Sequence, residues 1–393
     1  MNIKTLVKQY YFLIILFTVV DFLFGSGYVA FMSHQGISDS SIGLILSIWS
    51  GVTLLFGIPF GVVADNLGRK RVMGIGFLIW GIGLLLFSLS TVPITFGIAI
   101  FLIALGLAII GQLPLSWFVS TSNKLGGAEV QDNAIPFAEA LSKGVSFCAG
   151  ILFTLLVVNS SGNIPYYVAS LLAIATGVVI LTIFQADSRE EKKTSTLISS
   201  IKDAIPFLKK NTVLILFFIK YFLSGIAGQL FVFCWQLYMV NELKVDENKL
   251  GVIFSFFVLT LALGYYFTAK LGKNFNKINV SLLGNVIIVI SFLVMFLGNS
   301  FIVFLIASLL FEFGLGVEQG ANLIWIQPEI REDIRATILS LLSVILGISS
   351  LLASGIISIF LSQIGFRLLW IISAILAILA VILLWLIKAM KSL

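Results

Sequence analysis

The sequence predicts an all-α integral membrane protein with twelve transmembrane helices in two pseudo-symmetric six-helix bundles. Three observations carry this reading. The 393 residues are 59% hydrophobic and only 11% charged, with a mean hydropathy of +1.12. A soluble domain is about 45–50% apolar and about 25% charged, so this chain has too little polar surface to cover a water-soluble fold. Apolar runs longer than about 18 residues recur along its whole length. They are continuous, unlike the alternating strands of a membrane barrel. With no water in the bilayer core, each run must satisfy its own backbone, and helices follow.

The first half holds spans at 10–33, 41–64, 72–90, 93–119, 135–158 and 164–185. Polar turns such as "HQGISDSS", "STVP" and "NSSGNIP" separate them. Residues 187–211 form a polar linker with Arg189, Lys192, Lys193, Lys202, Lys209 and Lys210. Its stretch "STLISSIKDAIPFLKK" has helical apolar spacing suited to the membrane surface. The second half repeats the pattern at 212–240, 249–271, 278–298, 300–325, 336–361 and 366–388, with "GNS" and "QIG" among its turns. The loop "NELKVDENKL" reads as solvated. The predicted organisation is therefore a bundle at 1–186, a linker at 187–211 and a bundle at 212–393.

Cation placement sets the orientation. Lys4, Lys8, Arg69, Lys70, Arg71, Lys124, the six linker cations, Lys270, Lys273, Lys277, Arg331, Arg335, Lys388 and Lys391 fall on one side, 19 of the 24 Lys and Arg. Lys244, Lys249 and Arg367 fall on the other, and Lys143 and Lys220 lie within spans. This bias predicts a multi-pass cell membrane protein with both termini and the linker in the cytoplasm. It also accounts for the net charge of +6 and the pI near 9.2 without a nucleic-acid partner. Met1–Lys8 leads into an apolar run too long for a signal-peptide core, so no cleaved leader is expected. Cys148 and Cys234 sit inside apolar runs and read as small buried hydrophobes.

Between spans two and three lies "FGVVADNLGRKRV", residues 60–72. Gly61 suits a close helix approach, and Gly68 suits a tight reversal. Arg69, Lys70 and Arg71 retain the loop in the cytoplasm and face its anionic leaflet. Asp65 is not needed for that retention. At a helix end it is placed to pair with Arg69 or to accept from a neighbouring helix N-terminus, a contact that breaks when helices separate.

The order Gly61-x-x-x-Asp65-x-x-Gly68-Arg69-Lys70, in a 6+6 chain with a cationic linker, resembles the signature of the major facilitator superfamily. A weaker echo, "GYYFTAKLGKNFNK" at 264–277, occupies the equivalent loop of the second half, with Thr268 where the acid would stand. The resemblance implies a transporter whose two halves rock about a central site lined by spans one, four, seven and ten. It assigns Gly61, Asp65, Gly68, Arg69, Lys70 and Arg71 to a conformational latch. Drug-antiporter branches of that family often carry a Gly-Pro pair in span five and an arginine in span four. Here "GVSFCAGILF" has no proline and "FLIALGLAIIGQLPLSWF" no arginine.

Ionisable groups inside a membrane are costly and mark function. Asp21 and Glu312 lie near mid-span in spans one and ten and are candidate proton or substrate sites. Gln319, seven residues after Glu312, shares its face, and Glu318 lies nearer the cytoplasmic end, where water is within reach. Lys220, deep in span seven, is a further candidate, placed to snorkel, to pair with an acid or to attract an anionic substrate. Gln112 and Ser116 share a face of span four beside Trp117. Gln229 and Gln236 share a face of span seven beside Trp235, and Tyr28 follows Asp21 by seven residues. Together they would line an amphipathic, aromatic-walled cavity for a partly apolar ligand. Glu139 and Lys143, four apart at the start of span five, read as an interfacial pair.

His34, the single histidine, reads as a solvated loop residue. No zinc spacing, phosphate loop or dinucleotide fingerprint is present, so no cofactor and no metal is expected. No nucleophile–base pair supports an enzyme, and no large extra domain supports a receptor. The expected function is proton-coupled efflux of an amphipathic small molecule by a monomer in the lipid bilayer. A proton-linked nutrient importer is the alternative.

Overall fold

The computed structural model describes residues 2–56, 64, 67–111, 113–158, 162–184, 211–271, 275–330 and 335–392. Among them every regular element is helical: α1 Ile3–Gly25, α2 Tyr28–His34, α3 Asp39–Phe56, α4 Arg69–Leu89, α5 Pro93–Ile110, α6 Leu113–Lys124, α7 Gln131–Val158, α8 Ile164–Ile183, α9 Thr212–Leu237, α10 Leu250–Leu271, α11 Lys277–Leu297, α12 Phe301–Trp325 and α13 Arg335–Ser392. Side-chain caps start several of them. Asn2, Asn211, Asn276 and Ser300 each accept from a backbone N–H in the first turn of α1, α9, α11 and α12.

Eleven helical segments among the described residues are long and apolar enough to cross a membrane. Large apolar side chains such as Leu55, Ile94, Leu297 and Trp385 are exposed on them, as a lipid-facing surface requires. The last segment, Leu341–Lys391, has 51 residues. At about 1.5 Å per residue it is more than twice as long as a hydrocarbon core of about 30 Å. Gly365 breaks it, with φ 70° and ψ 169°, so its length accommodates two crossings, as the "QIG" turn predicts.

Two predicted spans are not continuous. Span one divides into α1 and α2 at Ser26 and Gly27, where the Ser26 hydroxyl donates to the Phe22 carbonyl at 2.6 Å. Span four divides into α5 and α6 after Gly111, with Pro114, which lacks an N–H, in the first turn of α6. Each run is long enough overall to read as one span, so span length alone does not reveal the breaks.

The chain divides into two compact units. The first comprises Met1–Glu191 and Asp246–Ser255, and the second Lys192–Val245 and Phe256–Leu393. The predicted linker, apart from Asn211, lies outside the described residues. Segment 246–255, expected with the second half, groups with the first unit because the start of α10 is bonded to α7. The Ser255 hydroxyl donates to the Phe147 carbonyl at 2.9 Å, and the Val252 N–H to the Thr154 hydroxyl at 3.3 Å.

The first unit's core is aromatic, with Phe24 against Tyr28, Trp49, Phe87 and Tyr166. In the second unit, α11 and α12 close together at Gly284, where an added Cβ would lie 2.6 Å from the Glu318 nitrogen. Cys234 is buried as expected, but Cys148 is exposed. An apolar span keeps one face turned away from its own unit, and Cys148 falls on that face of α7.

Gly365 occupies a backbone region open essentially to glycine alone. Gly365→Ala is expected to cost about 1–3 kcal/mol, read as a lowered thermal unfolding temperature of the purified protein in detergent.

Candidate functional site

Charge inside each unit is either paired or left open, and the difference sorts the candidate residues. In the second unit Lys220 of α9 is fully buried and forms an ion pair with Glu318 of α12, itself 3% exposed. The same Glu318 oxygen accepts from the Asn322 amide at 2.6 Å. The Asn322 carbonyl oxygen in turn accepts from the Ser281 hydroxyl at 2.8 Å and from the Trp325 indole N–H at 3.0 Å. Helices α9, α11 and α12 thus share one polar network. Of the three roles open to Lys220 in the sequence, it realises the pairing with an acid. It also corrects the placement of Glu318, which is sealed from water by the close packing of α11 on α12.

Glu312, on the same helix, differs. It is half-buried and makes no hydrogen bond or ion pair with another described residue. Gln319 is also half-buried and accepts a 2.5 Å hydrogen bond from the Tyr265 hydroxyl of α10. Gln229 is half-buried, whereas Trp235 and Gln236 are buried, with Trp235 packed edge-on against Phe257 at 5.1 Å. The predicted stripe on span seven therefore lies largely inside the unit, because α9 packs on several neighbours.

In the first unit Asp21 sits just over one turn before the break that ends α1. It is half-buried and, like Glu312, has no partner among the described residues. Tyr28 opens α2, its ring stacked on Phe24 at 4.8 Å. Ser116 is half-buried on α6, while Trp117 is fully buried against Phe184. Gln112 lies outside the described residues. Glu139 and Lys143 are both exposed on α7.

Of the latch residues, Gly61 and Asp65 lie outside the described residues. Gly68 has φ 93° and precedes α4, the reversal expected of it. Arg69 donates from Nη1 to the Ser116 carbonyl at 3.2 Å. Lys70 is half-buried and Arg71 exposed. In the second-half echo, Thr268 is buried and donates to the Val317 carbonyl of α12 at 3.0 Å.

One contact had no local signal in the sequence. His34 Nδ1 lies 2.9 Å from Glu247 Oε1, so the lone histidine, 65% exposed, is paired rather than merely solvated. The partners are 213 residues apart, beyond any periodicity argument.

Two helical units built from long apolar helices, with ionisable groups placed within them, are the architecture of a polytopic membrane protein. The sequence profile of the Major Facilitator Superfamily matches residues 10–233 and 217–392, and the chain belongs to that superfamily. It is a transporter and not an enzyme. A "Probable nitrate transporter NarT" of Staphylococcus epidermidis is 25% identical over 288 residues, covering 72% of this chain and 70% of that protein. The fold matches the crystal structure of the nucleoside transporter NupG with a TM-score of 0.79 at 18% identity, over 100% of this chain and 100% of that one. It also matches a bacterial homolog of the human lysosomal transporter Spinster, in the inward-facing and occupied conformation. That match has a TM-score of 0.79 at 12% identity, over 98% and 97% of the two chains.

Removing one partner of a buried ion pair strands the other. Lys220→Met alone is expected to cost about 3–5 kcal/mol, and Lys220→Met with Glu318→Leu to regain most of it. Thermal unfolding of the purified variants in detergent measures both.

Proposed function

We propose that this transporter is a proton-coupled secondary carrier that works by alternating access and exports an amphipathic small molecule. The observation that supports it is the contrast among the intramembrane charges. Asp21 and Glu312 stand half-buried without described partners, whereas Lys220 is neutralised by Glu318. Open carboxyls exchange protons or attract a cation. A buried cation already held by a carboxylate offers little to an anion. Tyr28, Gln229 and Gln319 would add aromatic and polar contacts for a partly apolar substrate.

In this reading the protein acts as a monomer in the cell membrane with both termini cytoplasmic, in keeping with the bias of its cations. Asp65 and the cations Arg69, Lys70 and Arg71 stabilise the outward-open state. The bond from Arg69 to the Ser116 carbonyl supports that role, since it ties the loop to the fourth span. A second reading, proton-linked import of a small anion, draws on the name of the nitrate-transporter relative.

Proteoliposomes with an imposed pH gradient separate the readings. A proton antiporter accumulates a lipophilic cationic dye in the acid compartment, whereas a symporter accumulates nitrate in the alkaline one. Asp21→Asn with Glu312→Gln is expected to abolish gradient-driven accumulation while leaving exchange without a gradient. Unchanged accumulation would remove the proton-coupling assignment.

Asp65→Asn is expected to raise the labelling of cysteines introduced along the cytoplasmic halves of the cavity helices and to lower it along the outer halves. Equal labelling of variant and parent would count against the latch.

A further inference from the structure

The second unit carries a polar cavity that the transport reading does not use. It has a volume of about 290 Å³ and lies where α9 finishes. Tyr238, Glu242, Asn299, Gly365, Phe366 and Arg367 are among its walls. Three separate stretches of chain meet there, and two have irregular backbone. Tyr238–Glu242 forms a π-helical turn, a conformation found frequently at functional sites. Gly365 has the left-handed φ described above.

The charges in this cavity are arranged for a ligand that carries both signs. Arg367 donates to the Asn299 side-chain oxygen, which leaves further guanidinium N–H groups unspent. Glu242 is exposed and makes no hydrogen bond or ion pair with another described residue. Both lie within electrostatic range of the Tyr238 hydroxyl, yet they are not bonded to each other among the described residues. A guanidinium and a carboxylate that share so small a cavity without pairing match a molecule holding an oxyanion and an ammonium a few bonds apart. Beneath them the buried rings of Tyr238 and Phe366 pack edge to face at 5.5 Å, a floor for the methylenes between the two charges.

We infer that this cavity binds a small zwitterion, with its oxyanion on Arg367 and its primary ammonium on Glu242. Arg matches an oxyanion through paired N–H donors. A primary ammonium brings three N–H donors to Glu242, and a quaternary one brings none. The same chemistry reaches the cavity from two sources, a free solute or the headgroup of a bilayer lipid.

The test uses the full-length protein, with binding read as quenching of the tryptophan fluorescence to which Trp370, 5.7 Å from the Tyr238 ring, contributes. One arm titrates O-phosphoethanolamine, with phosphocholine as the quaternary control, into protein in detergent. The other compares nanodiscs of dioleoylphosphatidylcholine alone with nanodiscs containing dioleoylphosphatidylethanolamine. Saturable binding of free phosphoethanolamine identifies a solute site. A response confined to the phosphatidylethanolamine nanodiscs identifies a headgroup site. Glu242→Gln and Arg367→Gln are each expected to weaken binding about ten- to hundredfold, and Arg367→Lys to weaken it less than Arg367→Gln. Both positions are exposed, and unchanged thermal unfolding of the unliganded variants checks that they fold. Absence of a response in both arms, equal binding of phosphocholine, or indifference to both substitutions would overturn the assignment.

Discussion

The constraint on which everything else rests is that the bilayer core offers no water to a peptide group or a charge. A backbone there must bond to itself, which is why the described elements are all helices and why apolar side chains remain exposed on them. A charge there must be paired or be kept near water for a purpose. The second rule is stricter than the first, because a helix satisfies its backbone automatically while a side chain needs a particular neighbour. The chain meets it fully at Lys220, whose ammonium joins a carboxylate and an amide of α12 and a hydroxyl of α11 in one network.

That network changes the meaning of the remaining acids. Glu312 and Glu318 lie on the same helix six residues apart, and composition treats them alike. Packing does not. Gly284 lets α11 approach α12 at Glu318, enclosing that carboxylate with its cation, while Glu312 on another face stays half-buried and unpaired. A group whose protonation need not break an ion pair is the better one to cycle between two states. A buried pair that must hold both charges together is the better one to fix helix positions.

Much of this was legible in the sequence, and what was not has physical reasons. Span lengths, turns and the break at Gly365 follow from hydropathy and from glycine beside polar residues. The breaks in spans one and four are marked only by short local signals, Gly25-Ser26-Gly27 and Gly111 with Pro114, inside runs long enough to read as single spans. Mid-span acids announce themselves by cost alone, so Asp21 and Glu312 stand out in the sequence as candidates. The partner that Lys220 takes, Glu318, could not be named from the sequence. Whether a residue such as Trp117, Trp235 or Gln236 faces a cavity or a neighbouring helix depends on which helices adjoin. The hydrogen bond between His34 and Glu247 joins segments that no local pattern relates.

The two halves also show how one architecture can be held by different chemistry. In the first unit Arg69, at the start of the third span, donates to a carbonyl of the fourth span at Ser116. In the second unit Thr268 stands at the position equivalent to the acid, at the end of the eighth span, and donates to a carbonyl of the tenth at Val317. Each half therefore secures its motif segment to a backbone acceptor on its own fourth helix. The donors differ in what can release them. A half-buried guanidinium at the membrane surface has water and lipid phosphate as competing partners, so its bond is exchangeable. A buried hydroxyl has neither, and its bond persists while the helices stay packed. By that physical criterion the tie at Arg69 is the more readily exchanged of the two, and the tie at Thr268 the more persistent.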